Sequence, residues 1–146
     1  MKLFKEIAFA GALTLASLLT MPVADAHEIK LGTLEIIHPW ARQSPMAADV
    51  TAGFMVIRNT GTEDDKPIKV TAEIAEVVQI HDMKMDNDVM KMFEIEGGLV
   101  IPAGQTVELK PKSKHIMFMK VESQPVVDTM FKGTLTFEKA GTVEIE

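Results

Sequence analysis

Two short strings of histidine and methionine are the part of this sequence best suited to chemistry. The first begins at His81 and reads His-Asp-Met-Lys-Met, and the second begins at His115 and reads His-Ile-Met-Phe-Met. Imidazole nitrogen and thioether sulfur suit a soft monovalent ion, whereas carboxylate and water suit hard cations. These residue types therefore predict a Cu(I) site, and they argue against zinc, which is held by cysteine, histidine and carboxylate ligands.

The spacing within each string predicts a β-strand, because side chains two residues apart lie on the same face of a strand. Methionine is an adaptable core filler, so a strand with two methionines is more often packing than chemistry. Two His-x-Met-x-Met strings in a chain with four histidines nevertheless favour metal binding. The residues that would share a face are His81, Met83 and Met85 in the first string, and His115, Met117 and Met119 in the second.

Residues 1–26 have the features of a secretory signal peptide. Two lysines precede an apolar run that ends near Leu19, and the triplet from Ala24 to Ala26 fits a small-x-small cleavage site. The apolar run is shorter than the ~20 residues of a membrane span, and the absence of cysteine argues against a lipid anchor at this site. We expect an exported, periplasmic protein whose mature domain, residues 27–146, has no membrane span.

Composition narrows the function further. The formal net charge is −6 and there is no basic cluster, which argues against binding to nucleic acid or to an anionic membrane. The absence of cysteine means that no disulfide stabilises the fold, and it excludes a blue-copper centre, which needs a thiolate. A thioether site stays usable in an oxidising compartment, because it cannot be lost to disulfide formation.

Short apolar runs separated by turn-forming residues predict an all-β fold, and no segment has a convincing helical period. Val107 and Leu109 alternate with polar residues, as in a strand with one buried face. We therefore expect a β-sandwich with Trp40 in its core and His38 at its surface. A hairpin is expected over residues 98–109. The predicted strands are Ile29–Ile37, Val50–Asn59, Ile68–Ile74, Glu76–Met83, Val89–Ile95, Gly98–Ile101, Thr106–Leu109, His115–Val121, Met130–Glu138 and Thr142–Glu146.

A turn centred on Asn87 predicts a hairpin that starts from the first string. This register sets Met83 opposite roughly residue 91 and leaves Met92 within diagonal reach of His81. A slip by one residue is also consistent with the sequence. The histidine and first methionine of the second string would complete a four-ligand set from another strand.

These spacings resemble the copper motif of the PCuAC family of periplasmic copper chaperones. That motif is a histidine, ten residues, a methionine, about twenty-one residues, then His-x-Met. Here ten residues separate His81 from Met92, and twenty-two separate Met92 from the His115-Ile116-Met117 triplet. The likeness covers nearly the whole mature chain. It includes His38-Pro39-Trp40-Ala41-Arg42, Glu96-Gly97-Gly98, Ile101-Pro102-Ala103-Gly104 and Leu135-Thr136-Phe137.

The resemblance implies a cupredoxin-like Greek-key β-sandwich that binds one Cu(I). It implies delivery of copper by ligand exchange towards the dinuclear centre of the cytochrome c oxidase copper subunit, alongside a Sco-type thiol protein. We expect a monomer. The implied ligands are His81, Met92, His115 and Met117, with Met92 preferred to Met90 only by the family spacing. Four further methionines would lie beside the site. We expect them to form a hydrophobic rim, and transient binding of copper during entry and release is the alternative. They are Met83, Met85, Met90 and Met119.

Two other classes of function are open to this sequence. One is an exported, metal-independent β-sandwich interaction module, whose partner binding would not respond to copper. The other is an enzyme, which the lack of a nucleophile–base pair and of a cofactor loop argues against. His27 would begin the mature chain and is an alternative Cu(II) site. Because protons compete with metal for imidazole, copper affinity is expected to fall at acid pH.

Overall fold

The computed structural model describes residues 28–146. These residues form ten β-strands and no helix, so the described part of the chain contains no helix that could cross a membrane. The predicted signal peptide and His27 lie outside the described residues. The strands are β1 (Glu28–Leu31), β2 (Leu34–Ala41), β3 (Val50–Asn59), β4 (Pro67–Ala72), β5 (Ala75–Asp86), β6 (Val89–Glu94), β7 (Thr106–Leu109), β8 (His115–Val121), β9 (Gly133–Phe137) and β10 (Gly141–Ile145).

All ten strands belong to one antiparallel sheet that curls around a single core. The order along the sheet is β1-β2-β3-β8-β5-β4-β9-β10, and β1 also contacts β10, so the sheet is nearly closed. Two short strands lie off this path, with β6 paired to β5 and β7 paired to β3. The predicted all-β class is therefore confirmed.

The core lies inside the curled sheet and determines which way the site residues face. Ile80 of β5 and Ile116 and Phe118 of β8 belong to the buried core cluster. Because alternate residues of a strand point to opposite faces, the residues between these apolar side chains lie on the outer face. The histidines and methionines of both strings therefore lie on the outer face of the sheet. These methionines do not fill the core, so the packing interpretation does not account for them.

Buried polar side chains hold the loops in place. Asn59 donates hydrogen bonds from Nδ2 to the carbonyls of Glu63 and Ile101. The buried carboxylate of Asp65 accepts hydrogen bonds from backbone N–H groups in the turn before β10. The Asn59–Ile101 bond holds the loop after β6 without a regular strand, and the Asp65 bonds hold the turn between β9 and β10.

That loop corrects one prediction. Residues 98–101 do not form a strand, and the expected 98–109 hairpin is absent from the described residues. The segment contributes only an isolated bridge between Asp65 and Ile101, and it buries Leu99 and Ile101 in the core as part of a loop. β7 pairs instead with β3.

The N-terminal strands contain two further corrections. The predicted strand Ile29–Ile37 is a hairpin, because Gly32 has a φ of +58° and reverses the chain there. Trp40 is 43% exposed and is not core, since a bulge after Ile37 shifts the register and sets Trp40 against Phe54. His38, within the bulge, is exposed as predicted.

Candidate metal centre

The site is organised by β5, whose two edges have different partners along its length. Residues 75–81 pair with β8 along one edge, and residues 81–86 pair with β6 along the other. The two ladders overlap at His81, which lies opposite His115 on one side and Glu94 on the other. Directly opposite residues share a face of the sheet, so β5 brings the two strings together.

All eight predicted metal-site residues lie on the outer face of the three neighbouring strands β6, β5 and β8. We call this surface the His/Met face. Met117 of β8 lies opposite Gln79, and Met119 opposite Val77. In the hairpin, Met83 lies opposite Met92 and Met85 opposite Met90. The residues of the face are His81, Met83, Met85, Met90, Met92, His115, Met117 and Met119.

The register of the β5–β6 hairpin differs by one residue from the prediction. Asn87 and Asp88 both have positive φ, +48° and +64°, as a two-residue hairpin turn requires. Met83 therefore lies opposite Met92 instead of residue 91. Because Met92 is two residues from Glu94, the direct partner of His81, it keeps the predicted diagonal position.

The His81 ring has one nitrogen occupied and one without a partner. Its Nε2–H donates a hydrogen bond to Gln79 Oε1 at 2.9 Å. That bond leaves the lone pair on Nδ1, which is buried and has no hydrogen-bond partner among residues 28–146. A buried polar atom left unpaired costs about 1–3 kcal/mol. An unpaired, buried ring nitrogen beside a second imidazole is the arrangement expected of a metal-ligating histidine.

The His115 ring is arranged in the complementary way. Its Nδ1–H donates to the carbonyl oxygen of Ser113 at 2.8 Å, so its lone pair is on Nε2. The ring is 4% exposed. The centroids of the two imidazoles are 5.7 Å apart. Since metal–imidazole bonds are about 2 Å long, two rings sharing an ion have centroids roughly 5–6 Å apart.

The electrostatics around His81 favour its neutral imidazole. Burial is the main cause that lowers the pKa of His81 below its usual value, and the neighbouring His115 lowers it further. Glu94, the direct partner of His81 on β6, acts in the opposite direction. A lowered pKa keeps the ring unprotonated, which is the form that binds metal.

The methionines differ in exposure around the imidazoles. Met117 and Met119 on β8 are partly buried, whereas Met92 on β6 is 52% exposed. No group of three or more histidine, aspartate or glutamate side chains among residues 28–146 is placed to hold a metal. The thioethers on the same face are neighbouring donors for an ion bound by the two imidazoles.

Comparison with known proteins identifies the family. The profile of the family described as "Putative lipoprotein LpqE-like" matches residues 34–146. The chain belongs to the LpqE-like family. A relative described as "Putative lipoprotein Lxx21020", from Leifsonia xyli subsp. xyli, is 28% identical over 109 residues, which are 75% of this chain. The match spans 64% of that relative's own length.

Solved structures place the LpqE-like chain among PCuAC domains and confirm the resemblance drawn from its motif. The apo PCuAC domain from PmoF1 superposes with a TM-score of 0.69 and 26% identity, covering 82% of this chain and 94% of that one. The copper-bound PCuAC domain from PmoF2 has a TM-score of 0.69 and 25% identity, with 82% and 93% covered. CuI-DR1885 from Deinococcus radiodurans, at 21% identity and a TM-score of 0.59 with 84% and 79% covered, shares the fold.

Three residues of the site in this LpqE-like chain were missed by sequence reasoning. Gln79 and Ser113 each orient an imidazole, and each lies two residues before the histidine it contacts. For Gln79, a polar side chain at that same-face position was the available signal, since strand alternation places it beside the ring. Ser113 precedes β8 and accepts through its backbone carbonyl, so its residue type gave no signal. Glu94 was missed because its position opposite His81 depends on the hairpin register.

Proposed function

We propose that this protein is an exported copper chaperone that binds one Cu(I) on the His/Met face and delivers it by ligand exchange. The proposed ligands are His81, Met92, His115 and Met117. The observation that supports this most directly is the register of β5 with β6 and β8, which brings two histidines and two spaced methionines onto one surface. The copper-bound state of the similar PmoF2 domain gives independent support.

The donor set suits a carrier. The two imidazole nitrogens with available lone pairs, His81 Nδ1 and His115 Nε2, are neutral, and so are both thioethers. Soft thioethers favour Cu(I), but neutral donors leave the positive charge of the ion uncompensated. Such a site holds copper less tightly than thiolates would. A recipient with cysteine ligands can therefore draw the ion away one ligand at a time.

The open side of the face provides the route for exchange. Met92 is half exposed while His115 is buried, so Met92 is the ligand that an incoming donor reaches first. An apolar cavity of about 490 Å³ is lined by Trp40, Phe54 and Phe131 and includes none of the proposed ligands. Copper would thus be held on a surface, where a partner protein can approach it directly.

We propose that the recipient is the dinuclear copper centre of cytochrome c oxidase, reached alongside a Sco-type thiol protein. This assignment extends the PCuAC resemblance and places the protein in the periplasm as a monomer, with residues 1–26 removed as a signal peptide. The acidic chain supports a protein recipient over nucleic acid. Delivery of an ion turns over no substrate, so we assign no enzymatic activity.

The test is an anaerobic Cu(I) titration against a competing chromogenic chelator, followed by transfer to a soluble oxidase copper domain. The protein should take up one tight equivalent, and His81→Ala, Met92→Leu and Met117→Leu should each weaken it. Metal-loaded protein mixed with the apo oxidase domain should lose copper to it. A thiol-containing Sco-type protein should speed the transfer.

Matched controls separate ligand loss from general damage. Met130→Leu removes a methionine that is 62% exposed elsewhere on the surface. His38→Asn removes an exposed histidine at a position with positive φ, which asparagine tolerates. Both should bind copper as the unchanged protein does. A Cu(I) affinity that is unchanged in all three ligand variants would refute the site. Partner binding that does not respond to copper would favour an interaction module.

A further inference from the structure

The β5–β6 hairpin carries more thioethers than one copper site needs. Its register forms two rungs of directly opposed methionines, Met83 with Met92 and Met85 with Met90. Directly opposite side chains in an antiparallel pair have Cβ atoms about 4.5–5.5 Å apart, and diagonal neighbours are within reach of long side chains. Four flexible thioethers therefore converge on one face of a two-stranded ribbon.

Packing does not account for this cluster. Every residue of β6 is exposed, and Met85, at 66%, is among the most exposed methionines described. The core underlies β5 only as far as Ile80, before the hairpin begins. Exposed apolar side chains in a row carry a cost in solubility, which argues for a role. The other highly exposed methionines, Met46 and Met130, lie outside the strands.

The two faces of the hairpin also differ in chemistry. The face opposite the methionines bears charged residues, with Lys91 paired to Asp86 and Lys84 placed 5.5 Å from the ring of Phe93. The methionine face has no charged side chain between the turn and Glu94. Such segregation provides a patch of soft, neutral donors without carboxylate or imidazole.

From this geometry we infer a second metal site on the hairpin, formed by Met83, Met85 and Met90, that takes a soft monovalent cation such as Cu(I) or Ag(I). Thioethers select soft ions, and they do not take up protons in the range where imidazole does. The hairpin site is therefore weaker than the imidazole site and insensitive to pH. Met119 takes no part, because it lies on β8 opposite Val77, beyond Met117.

Met92 connects the two sites. It faces Met83 directly and His81 diagonally, so its thioether adjoins both. An ion caught at the exposed end of the hairpin would move by exchange of Met85 and Met90 for Met92, and then for the imidazoles. This capture role rests on the proposed function, whereas the hairpin site itself rests only on the thioether cluster.

The test is an Ag(I) titration of the protein labelled with ¹³C at the methionine methyl groups, with bound stoichiometry measured by native mass spectrometry. Ag(I) reports thioether binding without redox chemistry. Two equivalents are expected. The first should shift the methyl signals of Met92 and Met117, and the second those of Met83, Met85 and Met90. A repeat at pH 5.5 should weaken the first equivalent and leave the second unchanged.

The decisive variant is the triple change Met83→Leu, Met85→Leu and Met90→Leu, which conserves apolar volume. It should keep the first equivalent and lose the second. The control, Met46→Leu with Met130→Leu, should keep both. A single, pH-sensitive equivalent in the unchanged protein, or a second equivalent that survives the triple change, would overturn the hairpin site.

Failure of the proposed function would look different. His115→Ala with Met117→Leu should abolish the tight, pH-sensitive equivalent and leave the hairpin equivalent with its three methyl shifts. If the unchanged protein binds only the pH-insensitive equivalent, the imidazole site is wrong and the hairpin site stands. If it binds only the tight, pH-sensitive equivalent, the hairpin site is wrong and the imidazole site stands.

Discussion

The two halves of the His/Met face are built differently. Where β5 pairs with β8, the donors are fixed: His115 is buried, and each imidazole is held by a hydrogen bond to a neighbour, Gln79 Oε1 or the Ser113 carbonyl. Where β5 pairs with β6, the donors are exposed thioethers on a ribbon whose second strand has no buried residue. The same sheet face thus has a rigid end and an adaptable end.

This difference assigns tight binding to the rigid end of the face and ligand exchange to the adaptable end. Oriented imidazoles bind without reorganising, and hydrogen bonds to their outer nitrogens raise their basicity. Methionine has three rotatable bonds and a polarizable sulfur, so it can follow a moving ion. A carrier needs both properties, because it must hold its cargo in transit and release it on contact. The predictions below test the division, beginning with the largest expected effect.

Loss of the buried imidazole should do the most damage. His115→Gln, which keeps most of the volume, should lower Cu(I) affinity by more than the roughly 10–100-fold typical of outer-shell changes. Met92→Leu should stay within that range, because Met90 lies on the same strand face and can substitute. Chelator competition gives both values, and thermal unfolding of the apo proteins checks the fold. Equal losses would remove the distinction between the two ends.

The hydrogen bond behind His81 should come next. Gln79→Leu removes the acceptor of the Nε2–H bond and is expected to weaken Cu(I) binding about 10–100-fold. Gln105→Leu, at an exposed turn, is the matched control and should have no effect. If Gln79→Leu binds copper normally, orientation of the ring does not contribute to affinity.

Acid should destabilise the apo protein through His81. Its pKa is lowered in the folded state by burial and by His115, against the opposing effect of Glu94. Below the usual pKa of about 6.5 the unfolded chain therefore binds more protons than the folded protein. The free energy of unfolding thus decreases as the pH is lowered, and it levels off below the pKa of His81 in the folded state. Urea unfolding between pH 7.5 and 5 should show this loss, reduced in His81→Gln and retained in His38→Asn. A loss unaltered by His81→Gln would assign it to other groups.

Peroxide should distinguish the two ends by a smaller, graded effect. Each thioether takes one oxygen atom from hydrogen peroxide to give a sulfoxide and water, and susceptibility follows exposure. In the apo protein, Met85 and Met92 should be oxidised several-fold faster than the partly buried Met117. Peptide mass spectrometry over time measures the order. Oxidation of Met117 at the same rate would show that β8 does not shield it.

Much of the local structure could be predicted, because it depends on residues close in sequence. Val50–Asn59, Thr106–Leu109 and His115–Val121 are strands with the predicted bounds. Strand alternation alone placed each string on one face. The hairpin was also predicted, with a one-residue slip of its register left open. The observed register is the slipped one, because a turn centred on Asn87 and a two-residue turn of Asn87 with Asp88 fit the same sequence.

The contacts that assemble the site could not be obtained from local patterns. The pairing of His81 with His115 depends on β8 lying beside β5. The ligand types and the family spacing suggested that both strings bind one ion, but neither showed which strands are neighbours. Trp40 was placed in the core because its type is usually buried. The bulge after Ile37 overrides that preference by changing the register. Such irregularities arise from tertiary pairing and have no local signature.

The two-residue turn at Asn87 and Asp88 determines whether the spacer between His81 and Met92 must have an even or an odd length for both residues to lie on one face. Residues of β5 and β6 that share the metal-facing side have numbers of opposite parity, 81 with 92 or 94. As long as the turn keeps two residues, a single insertion between it and Met92 would therefore move Met92 to the charged side. An insertion of two would preserve the facing and lengthen the arm. The second spacer crosses irregular loops, which absorb a change of one residue. Divergent members of such a family should therefore vary their first spacer in steps of two and their second freely.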